Sequence, residues 1–366
     1  MSILSSIPSV RAGRDFVAGP STALCDIIIP VWNNFALTRR CLKSILKHTG
    51  VPIQLILIDN ASAPPTRDFL LDFKTRTPVP LQLIRNVENL GNIKAVNQGI
   101  AASGAPYLLI LDNDTRVFPG WLEGMIAAAR SSEDIGLVNP QSNSLGSRKP
   151  WYRSWDTVAR RAALEEKNDV LETATATGFC MLVKRALVER IGGWCEDYGL
   201  GYFDDEDYSL RAARAGFRCV QARGAFVYHE EQASFRKMKR ARQKLWAHNR
   251  ALFEGRYGRS GRIAYCLARS TGPLREKVLA EAFTLARANH WIWIFEKRGF
   301  TQPDVPAHSN IREVRLLGAF FPWNCLFRIV TKKKQFEKVV TDDAGLISIL
   351  RRARPLHRAE LEYIRP

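Results

Sequence analysis

From residue 26 to residue 111, short and almost unbroken apolar runs alternate with helix-like stretches, and the runs give way to polar or acidic residues. The runs are Asp26-Ile27-Ile28-Ile29-Pro30-Val31, Gln54 to Asp59, Leu81 to Arg85 and Tyr107 to Leu111. Amphipathic segments lie between them, from about Phe35 to Lys47 and from Ile93 to Ala102. Ile, Leu and Val without polar alternation suit strands covered on both faces, and helices between them suit parallel pairing. The expected fold class is therefore α/β, a Rossmann-like, mostly parallel sheet flanked by helices. Ligands of such sheets collect outside the carboxyl ends of the strands, so the polar residues that end the runs are the candidates for function.

The chain has 366 residues, 46% of them hydrophobic and 25% charged, which is enough for a full-sized core and excludes wholesale disorder. Its charge is uneven. Residues 1–235 carry 26 Lys and Arg against 25 Asp and Glu, whereas residues 236–366 carry 28 against 11, a net +17 of the total +18. The seven cysteines are odd in number and contain no C-x-x-C pair, which points to a reducing, cytoplasmic compartment. No sustained apolar stretch suggests a secretory signal or a membrane span. The expected division is an N-terminal tail over 1–22, a catalytic domain over 23–235 and a basic, mainly helical region over 236–366 that includes RKMKRARQKLWAHNRALF. Residues 142–177 are polar and read as a long loop or short helices.

Asp112-Asn113-Asp114 follows the run Tyr107 to Leu111, which puts two carboxylates where a strand ends. Mg²⁺ and Mn²⁺ take oxygen ligands of this kind and share them with substrate phosphates, although an acidic pair can equally cap a helix. Asp59 ends another run and is followed by Asn60, a pair also suited to a turn. Asp204-Asp205-Glu206-Asp207 precedes a helix-like segment from Tyr208 to Ala215. Four adjacent acids either mark a solvated helix start or include a base at the edge of a cleft. His229 closes the run Ala225 to Tyr228 and could be structural or a metal ligand.

Taken in order, Ile29-Pro30-Val31-Trp32-Asn33-Asn34, Ile58-Asp59-Asn60-Ala61-Ser62, Asn89-Leu90-Gly91 through Asn97-Gln98-Gly99-Ile100, Leu111-Asp112-Asn113-Asp114-Thr115, Gly178-Phe179-Cys180-Met181-Leu182, Ile191-Gly192-Gly193-Trp194 and Asp204-Asp205-Glu206-Asp207 resemble glycosyltransferase family 2, of the GT-A fold. The resemblance spans about Cys25 to Phe235. It implies an inverting transfer from a nucleoside-diphosphate sugar to an acceptor hydroxyl, on a glycan or lipid-linked molecule, in cell-envelope or other glycoconjugate synthesis. It also implies that Pro30, Asp59 and Asn60 border the base, and that Asn89, Gly91 and Lys94 line the path to ribose and pyrophosphate. Asp112, Asn113 and Asp114 would hold ribose and Mn²⁺ or Mg²⁺, with His229 as third ligand and Asp205, or failing it Asp207, as the base. The acidic run departs from the commoner Glu-Asp form, because position 204 is Asp and Glu206 stands where an apolar residue is usual.

The competing readings are a nucleotidyltransferase, which would favour a glycine-rich turn where Pro30 to Asn34 has none, and a nucleotide-sugar-binding or inactive relative acting through its basic region. In that region the aromatic and apolar stretch Leu316 to Val330 ends in Lys332-Lys333-Lys334. Such a stretch fits an anionic membrane surface, and hence a peripheral position on the cytoplasmic face. No recognised motif supports nucleic-acid binding, and the bland alternative is a helical extension packed on the catalytic domain.

Overall fold

The computed structural model describes residues 22–230, 239–298 and 305–365, with the side chains of 239–242 left aside. The N-terminal tail, apart from its last residue, and the expected boundary near residue 235 lie outside them, as do the first residues of the basic segment that starts at 236.

The first unit begins with β1 (Cys25–Val31), α1 (Phe35–His48), β2 (Ile53–Asp59), α2 (Pro64–Arg76), β3 (Leu81–Arg85), α3 (Asn92–Ala102) and β4 (Tyr107–Leu111). The four strands lie in the order β3-β2-β1-β4 and all run parallel, so their carboxyl ends share one edge. Ile27, Ile28, Ile29, Leu55, Ile56 and Leu57 are fully buried, as expected of strands with helices on both faces. The prolines at the start of α2 suit a position whose N–H has no helical partner.

The remainder of this unit is mixed. After β5 (Thr115–Val117), α4 (Trp121–Arg130) and β6 (Ile135–Gln141), the polar stretch 142–177 contains α5 (Trp155–Glu165) and β7 (Val170–Thr173). Then follow β8 (Cys180–Lys184), α6 (Arg185–Ile191), α7 (Asp204–Arg214) and β9 (Arg218–His229). β8 pairs antiparallel with β4 and with β6, and β9 collects β6, β7 and β5. The expected α/β class with a mostly parallel sheet therefore stands for this unit.

The region 236–366, expected to be basic and mainly helical, holds a parallel sheet among its helices. After α8 (Lys239–Tyr257), the described residues form β10 (Arg262–Leu267), α9 (Gly272–Arg287), β11 (Trp291–Lys297), β12 (Ile311–Leu316), α10 (Phe321–Val330), β13 (Lys338–Thr341), α11 (Ala344–Arg352), α12 (Arg354–His357) and β14 (Glu360–Tyr363). The strands make a second sheet of five, all parallel, in the order β12-β11-β10-β13-β14. Its two faces are covered separately, by α9 through Val278, Ala282 and Ala286 and by α10 and α11 through Phe321, Cys325 and Leu350. β10 and β11 carry apolar runs as long as those of the first unit, Ile263 to Leu267 and Trp291 to Phe295, whereas β12, β13 and β14 are short or broken by Arg, Lys and Glu. Asp342, just after β13, accepts the backbone N–H groups of Ala268, Arg269 and Ser270 and so closes the turn between β10 and α9.

Beyond α8, which packs on the first unit, the second unit meets the first at β7. The Glu172 carboxylate accepts from Arg218 of the first unit and Arg287 of the second, while the Ser309 N–H donates to the Glu172 carbonyl at 2.9 Å. Among the described residues no helix is long and apolar enough to cross a membrane.

Candidate active site

The shared edge of β1, β2, β3 and β4 carries the polar residues singled out in the sequence. Asp59 is buried at the end of β2, where one carboxylate oxygen accepts the Ser62 N–H at 2.8 Å and the other pairs with Arg85. Asn60 donates to the Gly91 carbonyl at 3.0 Å and accepts from Asn86 at 2.8 Å, and Asn86 in turn exchanges hydrogen bonds with Gln98. This network ties the 86–91 loop to β2. Gly91 has φ of +83°, and a Cβ there would stand 3.0 Å from the Leu200 side chain, so glycine suits both the backbone and the close approach. Asn89 accepts the Gly91 N–H, Lys94 is exposed on the first turn of α3, and Pro30 is half-buried near the end of β1.

Strain gathers at this edge. Asn33, Asn34 and Ala61 hold left-handed backbone with φ between 57° and 59°, as do Tyr202 and Phe203 at 72° and 67°, just before the acidic run. Such conformations cost energy for residues with a Cβ and persist where surrounding contacts impose them, often at functional sites. Here Asn33 accepts the Ala63 N–H and its own N–H donates to Ser62, which locks the β1 turn to the β2 turn.

Asp112 and Asp114 leave the end of β4, and antiparallel pairing of β5 with β9 sets Thr115 opposite His229. The His229 Nε2 thereby comes to 3.2 Å from Asp114 Oδ1 and 3.7 Å from Asp112 Oδ2. One ligand atom from each of the three residues lies within 4.8 Å of the others. Burial, then the Asp114 charge, push the Asp112 carboxyl up to about 7, with His229 opposing. Two carboxylates and an imidazole so close together suit a divalent cation, which takes oxygen and nitrogen ligands and neutralises the repulsion. Asn113 points away from this set and donates to Thr38 Oγ1 at 2.9 Å, anchoring the triplet to α1.

Gly178 and Phe179 connect the cation ligands to the acidic run. The Phe179 carbonyl accepts the Asp112 N–H at 2.8 Å, the Phe179 ring stacks on His229, and the Gly178 N–H donates to Asp205 Oδ2 at 3.0 Å. Asp205 also accepts the Glu206 N–H at 2.9 Å. Burial raises the Asp205 carboxyl, against the lowering effect of these backbone donors. Burial, with the Asp205 charge next, pushes Asp204 to about 8 and Glu206 to about 7. The run therefore cannot hold its full charge cheaply.

Asp207 faces the other way. Its buried carboxylate accepts from Tyr198 Oη, Arg211 Nε, Arg256 Nη1 and Tyr257 Oη. Arg256 and Tyr257 come from α8, whose Asn249 also donates to the carbonyls of Tyr198 and Gly201 at 2.8 and 2.7 Å. α8 thus holds the turn that presents Asp204 and Asp205. Sequence reasoning missed Asn86, which ends β3 at the same edge and could have been found by the rule that found Asp59. It also missed the α8 contacts, for which the sequence carries no signal.

Residues 26–192 match the family model described as glycosyl transferase family 2. Among curated relatives, N-acetylglucosaminyl-diphospho-decaprenol L-rhamnosyltransferase of Mycobacterium tuberculosis is 26% identical over 228 residues, covering 53% of this chain and 72% of that protein. The succinoglycan biosynthesis protein ExoO of Rhizobium meliloti is 26% identical over 225 residues, covering 58% of this chain and 62% of that protein. Among solved structures, the mannosyltransferase PcManGT from Pyrobaculum calidifontis, in complex with GDP-Man and Mn²⁺, aligns with a TM-score of 0.49 and 20% identity over 75% of this chain and 76% of that one.

Proposed function

We propose that the chain, whose residues 26–192 match the family model of glycosyl transferase family 2, works as a member of that family and moves a sugar from a nucleoside-diphosphate sugar to an acceptor hydroxyl with inversion at the anomeric carbon. The observation that carries this reading is the Gly178–Phe179 junction, which joins the Asp112, Asp114 and His229 cluster to Asp205.

In this reading Asp205 takes the proton of the acceptor hydroxyl. The freed oxygen attacks the anomeric carbon from the face opposite the nucleotide, forming the new glycosidic bond. The bond from that carbon to the phosphate oxygen breaks, and its electron pair leaves with the nucleoside diphosphate. With no covalent enzyme intermediate, one displacement inverts the configuration. Asp112, Asp114 and His229 would hold Mn²⁺ or Mg²⁺, which as a Lewis acid stabilises the charge gathering on the leaving diphosphate. Asp59, Asn60 and the 86–91 loop they bind form the wall for base and ribose, with Pro30, Asn89, Gly91 and Lys94 along it. Asp207, saturated by four donors, acts as a positioning residue, and the base is assigned to Asp205.

The acceptor is proposed to be a glycan or a lipid-linked sugar of cell-envelope or polysaccharide synthesis, by analogy with the named rhamnosyltransferase and succinoglycan relatives. The test is a panel of nucleoside-diphosphate sugars with Mn²⁺ or Mg²⁺, read as release of nucleoside diphosphate. Turnover that survives intact in both Asp114→Ala and Asp205→Asn would refute the site.

A further inference from the structure

α10 carries two apolar stripes, and the second unit covers one of them. Phe321, Cys325 and Ile329 are buried in the core shared with Phe295 and Val339. Phe320, Trp323 and Phe327, together with Leu317 just before the helix, are 60–68% exposed. Positions 320, 323 and 327 recur at helical spacing, so their side chains share one solvent face. Single exposed apolar residues are ordinary, but three aromatic residues on one face, with Leu317 exposed just before them, mark a contact surface.

The surroundings of the stripe are basic. No acidic residue occurs between Glu313 and Glu337, and Arg328, Lys333 and Lys334 in that interval are exposed. α11 and α12, which pack beside α10, add the exposed Arg351, Arg352 and Arg354. An aromatic stripe that includes Trp, set within a rim of cations, is complementary to a surface with an apolar interior and anionic phosphates above it. A second copy of the chain is a poorer occupant, because two rims of like charge would meet across the contact.

We infer that the α10 face of the second unit docks on an anionic lipid bilayer, with Leu317, Phe320, Trp323 and Phe327 in the interface and the basic rim over the lipid phosphates. The surface lies outside residues 26–192 and does not depend on the assignment of Asp205.

Flotation of the full chain with vesicles of phosphatidylcholine alone, and of phosphatidylcholine mixed with phosphatidylglycerol, tests this. The chain is expected to float with the mixed vesicles and to be released by salt. The Trp323→Ser, Phe327→Ser double variant is expected to lower the partition coefficient by about tenfold or more, since these residues supply the buried apolar area. The Lys333→Glu, Lys334→Glu variant is expected to lose the preference for anionic vesicles. All four positions are exposed, so both variants keep the wild-type circular dichroism spectrum. Equal binding by the aromatic double variant overturns the inference. So does a wild-type chain that ignores both kinds of vesicle, including one that instead self-associates through this face in sedimentation velocity.

Discussion

The Phe179 ring lies on the His229 imidazole with centroids 4.8 Å apart and planes 8° from parallel. The stack holds the imidazole with its Nε2 toward Asp114, while the backbone of Phe179 holds Asp112. One apolar residue therefore holds two of the three candidate cation ligands, Asp112 and His229.

Removal of the cation should abolish turnover. Chelation of the wild-type protein is expected to stop nucleoside-diphosphate release, and added Mn²⁺ or Mg²⁺ to restore it. Asp114→Ala should lower kcat by about a hundredfold or more and weaken Mn²⁺ binding in calorimetry, because a ligand to the charge-stabilising ion is lost. Retention of full Mn²⁺ affinity in that variant would remove Asp114 as a ligand.

Asp205 must be ionised to accept a proton, and burial raises its carboxyl. A raised value means that the active, ionised form is lost as pH falls, at a higher pH than for an ordinary carboxylate. kcat should therefore fall on the acid side, and Asp205→Asn should remove that limb along with about a hundredfold to ten-thousandfold of the rate. Donor affinity, measured by calorimetry with unreactive nucleoside diphosphate, should change little.

A Cβ at residue 178 would meet the Trp194 ring at 2.6 Å. Gly178→Ala should shift the backbone that donates to Asp205, lowering kcat while leaving Mn²⁺ affinity near wild type. Equal losses in both would show that the substitution disturbs the whole edge.

Tyr257→Phe deletes one donor to the buried Asp207 carboxylate. It should cost about 1–3 kcal/mol of stability, seen in urea unfolding, with a smaller effect on rate than Asp205→Asn. A rate loss as large as that of Asp205→Asn would move the base to Asp207.

Glu172 joins the two units. Burial raises its carboxyl, yet the hydrogen bonds from Arg287 and Arg218 outweigh this and hold it below its ordinary value. A depressed carboxyl stabilises the fold above its unfolded value, and this contribution disappears as pH falls through the folded one. Arg287→Ala should loosen the junction, visible as faster proteolysis between residues 257 and 262 and as separate thermal transitions. A single unchanged transition would mean that the units are held elsewhere.

Periodicity made the first four strands legible, and the rule that ligands gather at strand ends led from them to Asp59, Asn60, Asp112 and Asp114. These depend on local pattern, because a run of Ile and Leu between turns is a strand whatever it pairs with. What lay beyond reach depends on pairing between distant segments. The β5–β9 pair brings His229 to Asp114, the Gly178–Phe179 segment reaches both Asp112 and Asp205, and α8 draws Asp207 away from the cleft into a cluster of donors. The second sheet escaped notice for a related reason. Three of its strands are short or broken by charged residues, and only parallel pairing of β10 to β14 buries Ala264, Trp293 and Val339 together, with the buried Glu296 of β11 neutralised by Arg275. The sequence by itself determined which residues end the strands and what chemistry they can perform. The tertiary structure decided which of them meet, because a hydrogen bond or a cation site needs partners within a few ångströms, and sequence spacing does not measure that distance.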